Sequence, residues 1–357
     1  MKNIDVLVIG AGALGVSVAY HLAKAGRQVV VLEKEASYAH HSSGKNAGMI
    51  RQLYRHPQLT EWTKRSIAGW PEEVKSRAFQ QTGSLIVGRK LPEHHTELFE
   101  QRQVSVCFDG HTSELPAVYC ATDGLLDPGD HVSALYQCTD KQFVSYHFKT
   151  EVKGLEKTGE LWKVEAQQCG DTLTFETPWV VNAAGAWLND FLDKHEELKV
   201  DAEPFARHLF VMDGWEQDYM PEPDVGFYWE EERRWYMRLW EQKKRLISIC
   251  DMVAACPETF VPDPHIQERV ATQLLSALPE QAEQLQLGQF WHCFRTYTDD
   301  LLPIWGEDSR QKGLFWLAAF GGFGMSTSFA AAEDAASYMC GKDPGITEQF
   351  LPGRVRS

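Results

Sequence analysis

The segment DVLVIGAGALGVSVAYHLAKAGRQVVVLEK, residues 5–34, constrains the fold of this chain more than any other stretch. Two short β-branched runs, residues 5–9 and 29–32, flank a helical pattern from about Leu14 to Lys24. That is a βαβ unit, the start of an α/β domain. Gly10, Gly12 and Gly15 form G-x-G-x-x-G between the first run and the helix, and Glu33 closes the second run. The first glycine permits a sharp turn, the second lets backbone approach a pyrophosphate, and the third lets the helix pack closely on the sheet. Ala13 and Leu14 complete the turn, whose free N–H groups and positive helix end suit phosphate. Glu33 can accept hydrogen bonds from ribose hydroxyls, its charge disfavours a 2'-phosphate, and Lys34 adjoins it. A Rossmann-like dinucleotide-binding domain is expected, with a packing-only turn as the plain alternative. Spacing alone does not separate FAD from NAD.

At 357 residues the chain exceeds the usual single-core size, so two domains or one layered domain with an insertion are expected. A hydrophobic content of 43% with 24% charged residues fits a globular enzyme. The net charge of -15, with no basic stripe, argues against nucleic acid as a partner. Eight scattered cysteines without a C-x-x-C pair fit reduced thiols and a cytoplasmic chain, and MKNIDVLVIGAG has no targeting character. The run at 313–332, GLFWLAAFGGFGMSTSFAAA, is uncharged and long enough to raise a transmembrane reading. Its four glycines, its hydroxyls and the following Glu333-Asp334 predict a buried strand, a glycine loop and a helix instead.

After Tyr54 the pattern predicts two helices broken at Pro71, then strands at SLIV and AVYC. A helix opens at DPGDHVSALYQC. Residues 143–185 and 203–251 read mainly as β structure, followed by a helix at PHIQERVATQLLSAL. The ends look α/β and the middle looks like an antiparallel sheet with a few helices, an α+β arrangement overall. The expected division is interleaved: residues 1–80, 127–195 and 290–357 form the cofactor domain, and residues 81–126 and 196–289 the substrate domain.

Three more motifs follow the first in order: HHSSGKNAGMIR, VVNAAGAW and LFWLAAFGGFGMSTS. Together the four motifs resemble the D-amino acid oxidase superfamily of FAD enzymes, which includes glycine and sarcosine oxidases. Nearly the full length is covered, and the pattern is most similar to bacterial D-arginine dehydrogenase-like proteins. The resemblance implies FAD, held non-covalently, under a mainly antiparallel sheet. It assigns Ser42, Ser43, Lys45, Asn46, Ala47 and Gly48 to the loop across the flavin, and Ala183, Ala184, Gly185 and Trp187 to a second close approach. Gly321, Gly322, Gly324, Met325, Ser326 and Thr327 match the last flavin contact, where a helix start can stabilise charge on the ring.

The same resemblance matches Arg295 and Tyr236 to the pair that grips a substrate carboxylate, and Arg207 to a further pocket position. A planar guanidinium holds a carboxylate through two parallel hydrogen bonds and a phenol adds a third. Tyr54 matches a pocket-lid residue. Met49 stands where D-arginine dehydrogenases carry a histidine, and Ser84 where they carry an acid, so a strongly cationic substrate is not expected. Arg51 and Arg55 suggest a small or acidic side chain.

Cys293 matches the cysteine that sarcosine oxidases bond to their flavin, which makes it the alternative, covalent anchor; a buried free thiol is the plainer reading. Asp299 and Asp300 read as a turn before LLPIW, because neighbours in a strand point apart. His40-His41 and His94-His95 lack metal-ligand spacing, and no metal is expected. The expected activity is oxidation of the C–N bond of a small amino acid or N-methyl amino acid, with oxygen or another acceptor taking the electrons. Oxidation of a 2-hydroxy acid and a non-catalytic flavin-binding role are the alternatives.

Overall fold

In the computed structural model, which describes residues 3–91, 98–109, 111–216, 220–222 and 224–355, the first βαβ unit lies within a six-stranded sheet. The strand order is Ile304–Glu307, Leu314–Ala318, Trp179–Asn182, Val6–Ile9, Val29–Leu32, Val144–His147. All neighbours run parallel except the edge strand Ile304–Glu307. Every residue of Val6–Ile9 and Val29–Leu32 is buried, as apolar strands are when both faces are covered. One face carries the helices Ala13–Lys24 and Gly324–Met339, which pack together, with Pro57–Gly69 against the latter. The other face is covered by the antiparallel sheet Thr150–Thr158, Leu161–Gln168 and Asp171–Thr177, whose Trp162 is fully buried against Leu7 and Ile9 in one core.

The uncharged run at 313–332 resolves into the strand Leu314–Ala318, a turn and the helix Gly324–Met339. Buried alanines on that helix, including Ala331, Ala332 and Ala335, let its neighbours approach closely. Asp334 pairs with Arg65 at 2.7 Å and accepts from the Trp62 indole at 2.7 Å, so the helix belongs to a polar-sealed core. Among the described residues no helix is long and apolar enough to cross a membrane.

A nine-stranded sheet forms the second layer. Its order is Val253–Ala254, Glu203–Asp213, Lys244–Ser248, Trp235–Glu241, Phe227–Glu230, Ser84–Val87, His111–Cys120, Glu100–Phe108, with Gln286–Tyr297 also paired to Glu203–Asp213. Only Phe227–Glu230 with Ser84–Val87 is parallel. The helices Pro57–Gly69 and Glu72–Ala78 break at Trp70-Pro71, and Asp127 caps Pro128–Cys138 through the Asp130 N–H at 2.7 Å. Two features go beyond the sequence reading. AVYC is the end of a ten-residue strand, His111–Cys120, whose edge partner Glu100–Phe108 opens with the polar residues EQRQ. The loop at HHSSGKNAG contains a short helix, Ser42–Lys45. Thr298, Asp299 and Asp300 lead into a turn, with Asp300 accepting from the Thr298 hydroxyl and the Leu302 N–H. His94 and His95 lie outside the described residues.

Candidate active site

The ends of the parallel strands open into a cavity of about 1710 Å³ of atom-free space, mouth included. Gly10, Gly12, Ala13 and Leu14 form one wall. A Cβ on Gly10, at φ +99°, would lie 2.6 Å from the Ala183 carbonyl oxygen, so the first glycine turn and the 183–185 turn meet backbone to backbone. Ala183, Ala184, Gly185 and Trp187 line the same wall. Gly15 lies behind it: a Cβ there would stand 1.9 Å from the Gly10 carbonyl oxygen, which makes it the helix-packing glycine.

Glu33 marks one end of the cavity. Its carboxylate accepts from the Ala11 N–H at 2.7 Å and the Glu35 N–H at 2.9 Å. Burial raises its pKa against the opposing pull of these N–H groups. Lys34 sits over the Trp187 ring, and Glu258 accepts from both Lys34 at 3.2 Å and the Trp187 indole at 2.5 Å. His41 packs against Trp187, with ring centres 4.4 Å apart, and bonds Glu35 at 2.8 Å. Burial lowers the His41 pKa, with Glu35 opposing it. Glu258, Glu151 and Asp190 belong to no motif, because their proximity comes from contacts distant in sequence, whereas His41 stands at the start of HHSSGKNAGMIR.

The middle of the cavity is shaped by residues 42–48. The Ser43 hydroxyl accepts from the Ala13 N–H at 2.9 Å, and the Ser42 hydroxyl donates to the Phe294 carbonyl at 2.5 Å. Asn46 donates to the carbonyls of Ser42 and Ser43 and accepts from the Gly48 N–H at 2.8 Å. Arg238 donates to the Ala47 carbonyl at 2.6 Å and fixes this segment to the antiparallel sheet. Ser42, Ser43, Asn46, Ala47 and Gly48 line the cavity; Lys45 is exposed outside it, its carbonyl accepting from the Trp291 indole.

Opposite lie Gly321, Gly322, Gly324, Met325 and Ser326. Thr327 is buried off the lining and donates its hydroxyl to the Phe323 carbonyl at 2.9 Å. The strand Gln286–Tyr297 enters here. Cys293 and Arg295 line the cavity, and a Cβ on Gly322 would lie 3.1 Å from an Arg295 Nη atom. No carboxylate pairs with Arg295 among the described residues. Burial opposes its charge, while Tyr236, Tyr297, Cys293 and Cys250 around it leave its pKa above the usual value, so it is a permanent cation.

Tyr236 is fully buried behind the lining, its hydroxyl without a hydrogen bond of ordinary geometry although Ser248 lies beside it. Burial raises its pKa against Arg295 and Arg207, so it is a neutral donor. Arg207 departs from its expected pocket position. It lies off the lining and donates through Nε to the Asp251 carbonyl at 2.5 Å, and Asp251 also bonds His208 at 2.6 Å. Met49, Tyr54, Arg51 and Trp229 complete this end. Arg55 is exposed and off the lining. Ser84 is buried too, donating to Asp123 at 2.6 Å. Among the described residues no group of His, Cys, Asp and Glu is arranged to hold a metal ion.

A family model described as FAD dependent oxidoreductase matches residues 5–338. The chain belongs to that family. In sequence it is 23% identical to the mitochondrial pyruvate dehydrogenase phosphatase regulatory subunit of Mus musculus over 94% of this chain, but spans 41% of that protein, less than half its length. It is 22% identical to a D-amino acid dehydrogenase of Neisseria meningitidis serogroup C, covering 97% of this chain and 98% of that one. In structure it is similar to L-proline dehydrogenase from P. horikoshii, with a TM-score of 0.83, 20% identity, and 99% and 98% of the two chains covered.

The residues of this FAD dependent oxidoreductase suit the cofactor its family implies. Gly10 and Gly12 leave no room for side chains at the turn, Glu33 offers a carboxylate beside the helix start, and the 42–48 segment and glycine loop 321–324 face the intervening space. These groups would hold the diphosphate, the ribose and the flavin edge respectively.

Proposed function

We propose that this protein oxidises the C–N bond of a small amino acid or N-methyl amino acid. Bound FAD supplies the two-electron acceptor: the substrate Cα–H leaves as hydride while the nitrogen lone pair forms C=N, and water then releases a 2-oxo acid and an amine. The observation that carries the reading is Arg295, a cation with no carboxylate partner among the described residues, on a cavity wall shared with the glycine loop. Its guanidinium is suited to a bidentate carboxylate, with Tyr236 close enough to influence its charge. Holding the acid end fixes the direction of the Cα–H, which is a positioning effect that asks no acid or base of the protein. Names among the relatives support an amino-acid substrate: one is a D-amino acid dehydrogenase, and another acts on proline, a secondary amine.

Oxidation of a 2-hydroxy acid needs a base for the hydroxyl proton. The described lining around Arg295, formed by Met49, Arg51, Tyr54, Trp229 and Cys293, offers no carboxylate or imidazole. Anaerobic mixing of the purified holoenzyme with D-, L- and N-methyl amino acids and with 2-hydroxy acids tests the reading. Bleaching of the flavin by amino acids supports it; bleaching by hydroxy acids alone, or by none of the panel, overturns it.

A further inference from the structure

We infer that the substrate carries a second carboxylate, bound by Arg51. The inference rests on Arg295 as the grip for the first. Arg51 follows the short strand Met49–Ile50 and places its guanidinium carbon 4.1 Å from the Trp229 ring centre and 4.8 Å from that of Tyr54. Aromatic faces attract the cation but accept none of the N–H bonds that a guanidinium directs in its own plane. One Nη of Arg51 is shut off from solvent and has no hydrogen-bond partner among the described residues. No carboxylate of this chain pairs with it among those residues, so its in-plane donors are left for a ligand.

The placement of that cation is specific. Trp229, on which it rests, contacts Tyr236 with ring centres 5.2 Å apart, and Tyr236 adjoins Arg295. Arg51, Arg207, Arg234 and Arg295 all bear on the Cys250 thiol, whereas Asp251 approaches only Arg207 of these four, at 3.9 Å. The acidic groups of the lining, Glu33, Glu151 and Asp190, gather with Lys34 at the other end of the cavity. Arg51 is half-buried, and its shut-off Nη has neither water nor, among the described residues, a counter-ion; a single carboxylate on Arg295 leaves that donor uncompensated. A ligand with two acid groups satisfies both, and excludes substrates with a cationic side chain by repulsion.

The test is a binding titration of the holoenzyme, read as the change in flavin absorbance, with unreactive dicarboxylates (malonate, succinate, glutarate) and monocarboxylates of equal carbon number. At least one dicarboxylate is expected to bind roughly tenfold or more tightly than its monocarboxylate partner. Arg51→Gln should weaken that dicarboxylate roughly 10- to 100-fold and the monocarboxylate by less than about threefold, with Arg51→Lys between. Equal binding of the two series by the unaltered enzyme overturns the second site and leaves the proposed oxidation standing. The wild-type comparison decides this even if Arg51→Gln does not fold. A dicarboxylate preference that survives Arg51→Gln also overturns the assignment, and failure of both series to bind removes the carboxylate grip at Arg295 as well.

Discussion

Lys34 holds its ammonium group 3.5 Å from the centre of the Trp187 ring, and Glu258 bonds both residues. Glu258 follows the strand Val253–Ala254, so this contact ties the antiparallel sheet to the rim of the cavity near Glu33. Glu258→Gln is expected to speed FAD release on dialysis against bromide. The change should stay below about tenfold, because exposed ion pairs contribute only ~0.2–1 kcal/mol. Identical release from the two proteins removes Glu258 from cofactor retention.

Arg295→Gln leaves Tyr236 as a lone neutral donor at the proposed carboxylate grip. Loss of a buried, charge-assisted partner costs about 2–5 kcal/mol of binding. KM should therefore rise steeply, while flavin content and fluorescence stay those of the unaltered enzyme. Arg295→Lys should recover little, since a point charge does not reproduce the planar fork. A lysine variant with wild-type KM excludes bidentate recognition.

Gly321 has φ +47°, and a Cβ there would stand 2.1 Å from Cε1 of Tyr297. Gly321→Ala combines a left-handed backbone with overlap on a ring, a penalty of about 1–3 kcal/mol or more. Melting temperature and bound flavin should fall together. Gly341, also at positive φ, has nothing within 4 Å and serves as the control for backbone strain alone.

Asp123 is fully buried, and desolvation pushes its carboxyl up to about 6 despite hydrogen bonds from Ser84 and Gln52. A folded pKa above the ordinary value of about 3.9 means that its stabilising contribution is complete below pH ~4 and is lost as pH rises through about 6. Asp123→Asn removes this dependence. Relative to the unaltered protein, the variant should gain melting temperature between pH 4 and pH 7. Parallel curves across that range place the ionisation elsewhere.

Burial raises the Cys293 pKa against the pull of Arg295 and Arg207, so it stays a thiol near neutral pH. A flavin bond to sulfur needs the thiolate. Acid precipitation should therefore leave all flavin in the supernatant, and Cys293→Ser should retain the cofactor. Yellow pellets from the wild type and colourless ones from the variant establish the bond instead.

What could be read from sequence was local. The strands around Gly10, the helix start at Asp127 and the strand-loop-helix at 313–332 each follow from neighbouring residues, and the structure has them. Features missing from that reading are joined across long separations: Arg238 with Ala47, Glu258 with Trp187, and the stacking of Arg51 on Trp229. The strand Glu100–Phe108 escaped because its opening is polar, as suits an edge in water. Arg207 matched a pocket position by motif, but its side chain turns to the Asp251 carbonyl, a partner 44 residues away.

The strand Gln286–Tyr297 pairs with Glu203–Asp213 in steps, Phe205 opposite Arg295 and Val211 opposite Gln289, until Met212 meets Leu287. Gly288 is thus one residue more than the partner strand has. Beyond it, side chains alternate between faces without interruption as far as Arg295, so adding or removing one residue there turns the cation away from the cavity. The two residues before Gly288 are exposed and reach only the end of the pairing. Gly288 therefore divides this strand into an exposed part whose length does not bear on the cavity and a part whose length is tied to the position of a single guanidinium.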